Sequence, residues 1–443
     1  MNGIKHSISK LYNDIKQGVI TEFRDIFLDR GALLLIVIAL PLYTIIYSTA
    51  YGGEVVRNVA IAVVDDDKTA SSRELITGIL SGPNTQIRYN PQSLLEAKSL
   101  FLEDKIFGIV YIPNGFERKL LSNTETDIGL ILDGSHLLLY RQVLEQVTSD
   151  ALTKGATIEL MNLIDSGENK LEAMATIEPI VLNTHHLYNP SLGYGTFVMP
   201  SVVMVLIQQT LVIGLAMMAA RRRKEGLSIE PISLHSITAK LLVYYTIYGI
   251  DLTIILCTIW PIFGFQYQAH IIDIAIFVAL YILSILALGL AIAPIFKRRE
   301  APLMLLLCTS VPILLLAGVS FPREGYAEWL YELGRLLPSS SGIDGFIALA
   351  SRGATLSDVV PEIATLIILT FAYLLIAHLI KMYTTFLSII VLFVSQIIFK
   401  FALPYSSTIR QTYYYESVFA FVLLENVEVF RTEGHNEEHS SLV

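Results

Sequence analysis

Long apolar runs constrain the fold of this chain more than any other feature. A helix that crosses a lipid bilayer needs about 20 consecutive apolar residues. Seven runs approach that length, the last of them the weakest: 31–50, 194–220, 237–263, 271–296, 302–321, 360–380 and 384–403. Only 16% of the residues are charged, against roughly 25% in soluble proteins. We therefore predict an α-helical polytopic membrane protein with six transmembrane helices, or seven if the last run also spans.

The positions of lysine and arginine predict how these helices are oriented, because cytoplasmic loops are enriched in both. Basic residues are scattered through 1–30 and clustered at 221–224 and 297–299, whereas the turn at 266–270 has none. If each apolar run spans once, the three basic segments lie on one side of the membrane. We therefore expect a cytoplasmic N-terminus and an extracytoplasmic segment at 51–190.

The residues before the first apolar run do not resemble a cleavable signal peptide. They are too long and too acidic, since they contain Asp14, Glu22, Asp25 and Asp29. An uncleaved signal-anchor is the expectation. Apolar residues recur here at roughly helical spacing: Ile8, Leu11, Ile15, Val19, Ile26 and Phe27. This pattern predicts an amphipathic helix that lies either on the inner membrane face or against protein.

The segment 51–190 has a soluble composition and alternates predicted strands with predicted helices. The strands are expected at 58–64, 85–89, 107–112 and 127–133, with helices at 71–80, 93–103, 116–121 and 135–164. This order predicts an inserted α/β extracytoplasmic domain. The acidic run Asp65–Asp67 could hold a metal ion, but we favour an acidic turn at the end of a strand.

These predictions divide the chain into an N-terminal cytoplasmic segment, a first transmembrane helix, an extracytoplasmic domain, a transmembrane domain with helices 2–6, and a C-terminal extension of uncertain structure: 1–30, 31–50, 51–190, 191–382 and 383–443. No catalytic motif emerges. The chain contains no P-loop, no H-E-x-x-H and no G-x-S-x-G sequence. His435 and His439 belong to a polar tail whose glutamates are in the wrong register for a zinc protease. The net charge of −9 also argues against nucleic acid as a partner.

Three polar residues fall near the middle of apolar runs. Asp251 lies within the third run, and Gln208 and Gln209 lie at mid-depth of the second. A carboxylate in the bilayer centre costs on the order of 3 kcal/mol, so Asp251 needs a partner or a water-filled cavity. Gln208 and Gln209 are candidate partners. The three residues could line a transport path or could simply join helices by hydrogen bonds.

Two loops carry a family resemblance. The first reads RRRKEGLSIEPIS from Arg221 to Ser233 and continues to Lys240; the second reads LAGVSFP from Leu316 to Pro322, followed by Trp329, Pro338 and the I-D-G-F of 343–346. These stretches, with A-V-V-D-D-D at 62–67 and L-I-L-D-G-S at 130–135, resemble ABC-2-type permeases, the membrane subunits of ABC exporters of the drug-efflux-like branch. The resemblance covers roughly residues 20–382.

The resemblance implies a bacterial inner membrane permease that pairs with a second permease chain and with a separate ATPase subunit. ATP and Mg²⁺ would be used by that partner, and this chain would bind no cofactor or metal and catalyse no reaction. The loop 221–236, including a short helix from about Arg223 to Ser236, would couple the two subunits through Arg222, Arg223, Glu225, Gly226, Ile229 and Pro231. A re-entrant region at 322–350 would include or adjoin Gly318, Phe321, Pro322, Pro338, Asp344 and Gly345.

The substrate class stays open between small lipophilic drugs, lipids and peptides, and the extracytoplasmic domain could dock a periplasmic adaptor. Membrane lipid is an expected partner in any case. The alternative is a membrane-anchored receptor or structural protein whose extracytoplasmic domain binds a ligand, with no ATPase partner.

Overall fold

The chain forms two compact units, Gly53–Leu192 and the remainder, Met1–Gly52 with Gly193–Val443. We refer to them as the inserted unit and the membrane unit. The computed structural model describes residues 2–122, 124–180, 184–226, 233–268 and 270–402. The predicted coupling residues Ile229 and Pro231 and the histidine-containing tail lie outside these ranges.

The helices, in chain order from α1 to α14, are Asn2–Leu28, Arg30–Tyr51, Ala70–Ser81, Leu94–Leu102, Phe116–Leu121, Leu137–Asp165, Lys170–Ile177, Tyr194–Lys224, Leu234–Phe263, Ile271–Ile295, Ala301–Leu316, Glu328–Arg335, Pro338–Ser351 and Val360–Ala402. The strands, from β1 to β4, are Val59–Asp65, Thr85–Tyr89, Gly108–Ile112 and Gly129–Leu132.

In the inserted unit the four strands form one mixed sheet in the order β2-β1-β3-β4. Strand β1 is parallel to β2 and β3, whereas β4 is antiparallel to β3. The alternating side chains of β1 face two separate apolar cores. Val59, Ile61 and Val63 pack with α3 and α6, while Ala62 and Val64 pack with α4. Helices therefore cover both faces of the sheet.

The membrane unit is built around α8, the most buried of its long helices. Helices α2, α10, α11 and α13 contact it. Helix α8 approaches two of its neighbours closely at points where one of the helices has glycine. A Cβ added at Gly214 of α8 would lie 2.6 Å from Ile36 of α2, and a Cβ added at Gly289 of α10 would lie 2.6 Å from Leu215 of α8. The basic run Arg221–Lys224 ends α8, where positive charge complements the helix dipole.

Five helices within the described ranges are long and apolar enough to cross a membrane: Arg30–Tyr51, Tyr194–Lys224, Leu234–Phe263, Ile271–Ile295 and Val360–Tyr383. The predicted count of six or seven spanning helices is therefore not confirmed. The run at 302–321 forms the 16-residue helix α11, which stops at Leu316. The stop has a local cause, because Gly318 adopts a left-handed conformation with φ +76°.

The last two apolar runs form one helix. No break separates 360–380 from 384–402, and α14 continues from Val360 to Ala402 over 43 residues. The expected seventh helix is thus an extension of the sixth within the described part of the chain. Its contacts with α10 and α13 place the start of α14 in the core of the membrane unit.

Candidate coupling and transport sites

Three acidic residues lie at the end of α1 and in the link to α2. Glu22 and Asp25 are three residues apart on one face of α1, and Asp29 lies four residues further on, just beyond the last residue of α1. All three are buried, with 1%, 7% and 2% of their surface exposed. Buried carboxylates need charged or hydrogen-bonding partners. Those partners come from the end of the membrane unit that carries 221–224 and 297–299, which we call the basic end.

Glu22 is held by two groups of α9 and one of α8. Lys240 forms an ion pair with its Oε2 atom, and the Tyr244 hydroxyl donates a hydrogen bond of 2.5 Å to Oε1. The Arg222 Nη2 atom lies 3.7 Å from Oε2. One carboxylate of α1 therefore joins both neighbouring helices.

Asp25 and Asp29 extend this network. Arg222 donates to Asp25 Oδ2 from Nε at 2.8 Å and from Nη2 at 2.5 Å. Asp29 Oδ1 accepts hydrogen bonds of 3.0 Å and 3.1 Å from the amides of Gly31 and Ala32, and so caps the start of α2. The same oxygen forms an ion pair with Arg299. We call Glu22, Asp25 and Asp29, with their basic partners, the α1 ion-pair network.

The network bears on the predicted positions of the N-terminal helix. Helix α1 packs against α9 of its own chain, so it docks on protein, and a position on the inner membrane face stays a prediction. Sequence reasoning missed the network, although the spacing of the three acids was a readable signal. Three carboxylates at the end of an amphipathic helix and just beyond it, on the same predicted side as two basic loops, suggest ion pairing.

The predicted coupling residues fall into two groups. Arg222 and Arg223 are engaged inside the chain, because Arg223 Nη1 donates to the carbonyls of Pro294 and Phe296 at 3.0 Å and 2.9 Å. Glu225 and Gly226 are exposed in the turn after α8. Only a loose contact of 4.0 Å joins Glu225 Oε1 to Arg221 Nε.

The short helix expected from Arg223 to Ser236 has a different structure at both of its ends. Arg223 belongs to the last turn of α8. Ser236 belongs to the first turn of α9, where its amide donates to the N-cap Ser233 Oγ at 3.3 Å. The prediction of a separate coupling helix with those bounds is therefore wrong. Among the charged residues that were predicted to contact the ATPase subunit, Glu225 is the most accessible in the described part of this loop.

The polar residues at mid-membrane do not pair as expected. Gln208 Oε1 accepts a hydrogen bond of 2.7 Å from the amide of Ser339, in the first turn of α13. Asp251 is only 4% exposed. Its Oδ2 atom and the Gln209 Nε2 atom have no hydrogen-bond partner among the described residues. The bond that does join α8 to α9 here links Thr210 Oγ1 and the Tyr248 hydroxyl at 2.8 Å.

An arginine that sequence reasoning missed organises the predicted re-entrant region. Arg323 donates to both carboxylate oxygens of Asp344, at 2.5 Å and 3.1 Å. It also donates to the carbonyl of Ala317, just after α11, and to that of Ser340 in α13 at 3.3 Å. One guanidinium thus ties the end of α11 to α13. Bidentate arginine–carboxylate pairs of this kind fix geometry as well as charge.

Helix α13 fits into the membrane unit because it has glycine where aromatic rings approach. An added Cβ on Gly342 would lie 2.3 Å from Tyr281, and one on Gly345 would lie 2.3 Å from Phe277. Pro338 is the first residue of the helix, a position that requires no amide donor. The predicted residues Pro338, Asp344 and Gly345 therefore share one short helix.

The other predicted members of this region, Gly318, Phe321 and Pro322, lie in the turn between α11 and α12. Phe321 is exposed and stacks on Tyr326. Their placement in the membrane, as a re-entrant segment, stays a prediction.

The acidic run after β1 forms a turn with structural roles. Asp65 accepts from the amides of Asp67 and Lys68, and Asp67 accepts from the amides of Gly115 and Glu117 at the start of α5. Burial raises the pKa of Asp67, but these bonds and one from Thr69 outweigh it and hold the pKa below its usual value. No group of three metal-ligating side chains occurs within the described ranges.

Comparisons with known proteins agree with this architecture. A family model for the ABC-2 family transporter protein matches residues 32–379. The inner membrane transport permease YhhJ of Escherichia coli K12 is 24% identical over 380 residues, which cover 81% of this chain and 94% of that protein. The probable multidrug ABC transporter permease YbhR of the same organism is 23% identical over 324 residues, covering 71% and 84%. No solved structure matches the chain at a significant level.

Proposed function

The chain belongs to the ABC-2 family of transporter proteins, and we propose that it is the membrane permease subunit of an exporter driven by a separate ATPase subunit. Two permease chains would pair and move a small lipophilic molecule, drug or lipid outward. The names of the relatives, an inner membrane transport permease and a probable multidrug ABC transporter permease, support this reading. They also favour the bacterial inner membrane as its location. The basic residues of 1–30, 221–224 and 297–299 favour an N-terminus in the cytoplasm.

The observation that carries the proposal is the α1 ion-pair network at the basic end. It fixes α1 to α8 and α9, so these three helices can move together when a partner pushes on the basic end. Glu225 lies exposed just beyond this network. We assign Glu225 to the contact with the ATPase, and assign Arg222 and Arg223 to holding α8 in place.

ATP and Mg²⁺ would be bound by the ATPase subunit, since this chain has no P-loop. Closure of two ATPase subunits around ATP would shift the permease pair toward an outward-releasing state. A shift from 1:99 to 99:1 needs about 5.5 kcal/mol of differential binding. Clamping of two subunits by ATP is a sufficient source for that energy.

Within the membrane unit we propose that Asp251 and Gln209 contribute to the transport path. Each has a buried polar atom without a hydrogen-bond partner among the described residues. Such atoms are costly in a lipid environment unless water or a substrate reaches them in part of the cycle.

Purification of the tagged full-length chain from its native membrane tests the proposal. Co-purification of an ABC ATPase subunit, together with ATP hydrolysis that lipophilic compounds stimulate, is the expected result. A chain that purifies without any ATPase would instead favour the receptor or structural alternative.

A further inference from the structure

The inserted unit contains an open cavity of about 700 Å³. It lies between α3, α5 and the second half of α6, next to the loop that leads into β4. Sites for small molecules have volumes of roughly 300–1,000 Å³ and are mainly apolar. Apolar side chains form about half of the wall, among them Leu75, Phe116, Leu120, Ile128, Ile158 and Leu163.

The cavity exists because one face of α6 carries small residues. Ala151 and Gly155 are four residues apart and both line the cavity. A Cβ added at Gly155 would meet no atom within 4 Å. Helix α6 therefore leaves a space that its neighbours do not fill, and a side chain added at 155 would begin in open space.

The polar groups of the cavity give it a negative character. Glu125 and Glu159 line it and are exposed, and neither has an ion-pair partner among the described residues. The positive group, Lys154, is neutralised by an ion pair with Glu74. Deeper in the wall, the Thr126 hydroxyl is buried without a hydrogen-bond partner in the described structure.

We propose that this cavity binds a lipophilic organic cation. The apolar wall would take the body of the molecule, while Glu125 and Glu159 would face its positive charge. The inference goes beyond the proposed export function, since it concerns binding to the inserted unit and needs neither ATP nor an ATPase subunit.

The probe that tests this inference is tetraphenylphosphonium, compared with tetraphenylborate, an anion of nearly the same shape. Binding of each to the full-length chain in nanodiscs would be measured by equilibrium dialysis. The binding that is lost in Gly155→Leu is assigned to the cavity. Gly78→Leu is the matched control for this substitution. Gly78 is another helical glycine with open space at its Cβ, and it does not line the cavity.

We expect the wild-type chain to bind the cation more tightly than the anion, and Gly155→Leu to remove this binding while Gly78→Leu retains it. Replacing both glutamates, Glu125→Gln with Glu159→Gln, should weaken cation binding about tenfold, as expected for the loss of two exposed ion pairs. Glu145→Gln, an exposed carboxylate of the same helix outside the cavity, should have no effect.

Two results would overturn the inference. Cation binding that Gly155→Leu leaves unchanged would place the site elsewhere in the chain. The binding that is lost in Gly155→Leu could also prove equally tight for the cation and the anion. That result would mean that the carboxylates do not select the charge of the ligand. Failure of ATPase coupling in the transporter would contradict only the proposed function, because the binding assay contains no ATP.

Discussion

Replacement of Lys240 by methionine is expected to loosen α1 from the membrane unit. Methionine keeps an unbranched side chain of similar length but removes the positive charge that faces Glu22. The Glu22 carboxylate, only 1% exposed, would then stay buried with fewer partners. The substitution therefore tests whether the α1 ion-pair network holds α1 in place.

The structure sets the size of this effect. Removal of one partner from a buried ion pair typically costs about 3–5 kcal/mol. Here Glu22 keeps its hydrogen bond from Tyr244 at 2.5 Å and the Arg222 guanidinium at 3.7 Å. We therefore expect a smaller loss, about 2–3 kcal/mol. The double variant Glu22→Gln with Lys240→Met should lose less than Lys240→Met alone, because it leaves no buried carboxylate at position 22.

Hydrogen exchange of the α1 amides in nanodiscs is the appropriate assay, because it reports local opening. A loss of 2–3 kcal/mol corresponds to exchange that is roughly 30 to 150 times faster. Lys224→Met is the matched control, since Lys224 is an exposed lysine at the same end of the unit. Exchange in Lys240→Met no faster than in this control would refute the reasoning. Equal exchange rates in the single and double variants would show that the pair is not coupled.

Three further predictions concern the membrane unit. Gly345→Val should lower the free energy of unfolding by about 1–3 kcal/mol, because its Cβ would lie 2.3 Å from Phe277. This loss would be measured as a lower melting temperature. An unchanged melting temperature would show that the Phe277 ring has room to move. Arg323→Met should reduce export at least as much as Asp344→Asn, because Arg323 also donates to the carbonyls of Ala317 and Ser340. The double variant should reduce export no further than Arg323→Met, because both substitutions remove one ion pair; lower export in the double variant would contradict this. Asp251→Leu should impair export without reducing membrane insertion, and full export in that variant would remove Asp251 from the transport path.

Local patterns in the sequence were sufficient to predict the inserted unit. The predicted strands and helices between 58 and 164 differ from the observed ones by only a few residues at each end. Turn residues such as Gly115 and cap residues such as Ser93 fix these boundaries, and they act over one or two turns. The apolar runs are local patterns too, since they identify helices by their composition alone.

Contacts between distant helices were much harder to predict. Gln208 binds the backbone of Ser339 rather than Asp251, and this choice depends on how α8 rotates against α13. The partners of Glu22 lie 200 or more residues away in the chain. A periodic pattern shows which side chains share a face, but it does not show which helix that face meets.

The helix in the run 302–321 is shorter than the length of the run predicts. The run is apolar over 20 residues, but the left-handed Gly318 ends α11 at Leu316. Arg323 then donates to the carbonyl of Ala317 that the helix end leaves open. A hydropathy pattern does not contain this information, because helix termination depends on one glycine and one side-chain hydrogen bond.

The ATPase rate of the reconstituted complex tests the central claim most directly. The chain and its co-purified ATPase subunit would be placed together in nanodiscs, and wild type would be compared with Glu225→Lys. We predict that Glu225→Lys retains the assembled complex but loses stimulation of ATP hydrolysis by a lipophilic compound. Glu300→Lys, an exposed control at the same end, should keep it. Normal stimulation of ATP hydrolysis in Glu225→Lys would contradict coupling through the turn after α8. ATP hydrolysis that never responds to the presence of this chain would contradict the proposal that the chain is part of an ATP-driven exporter.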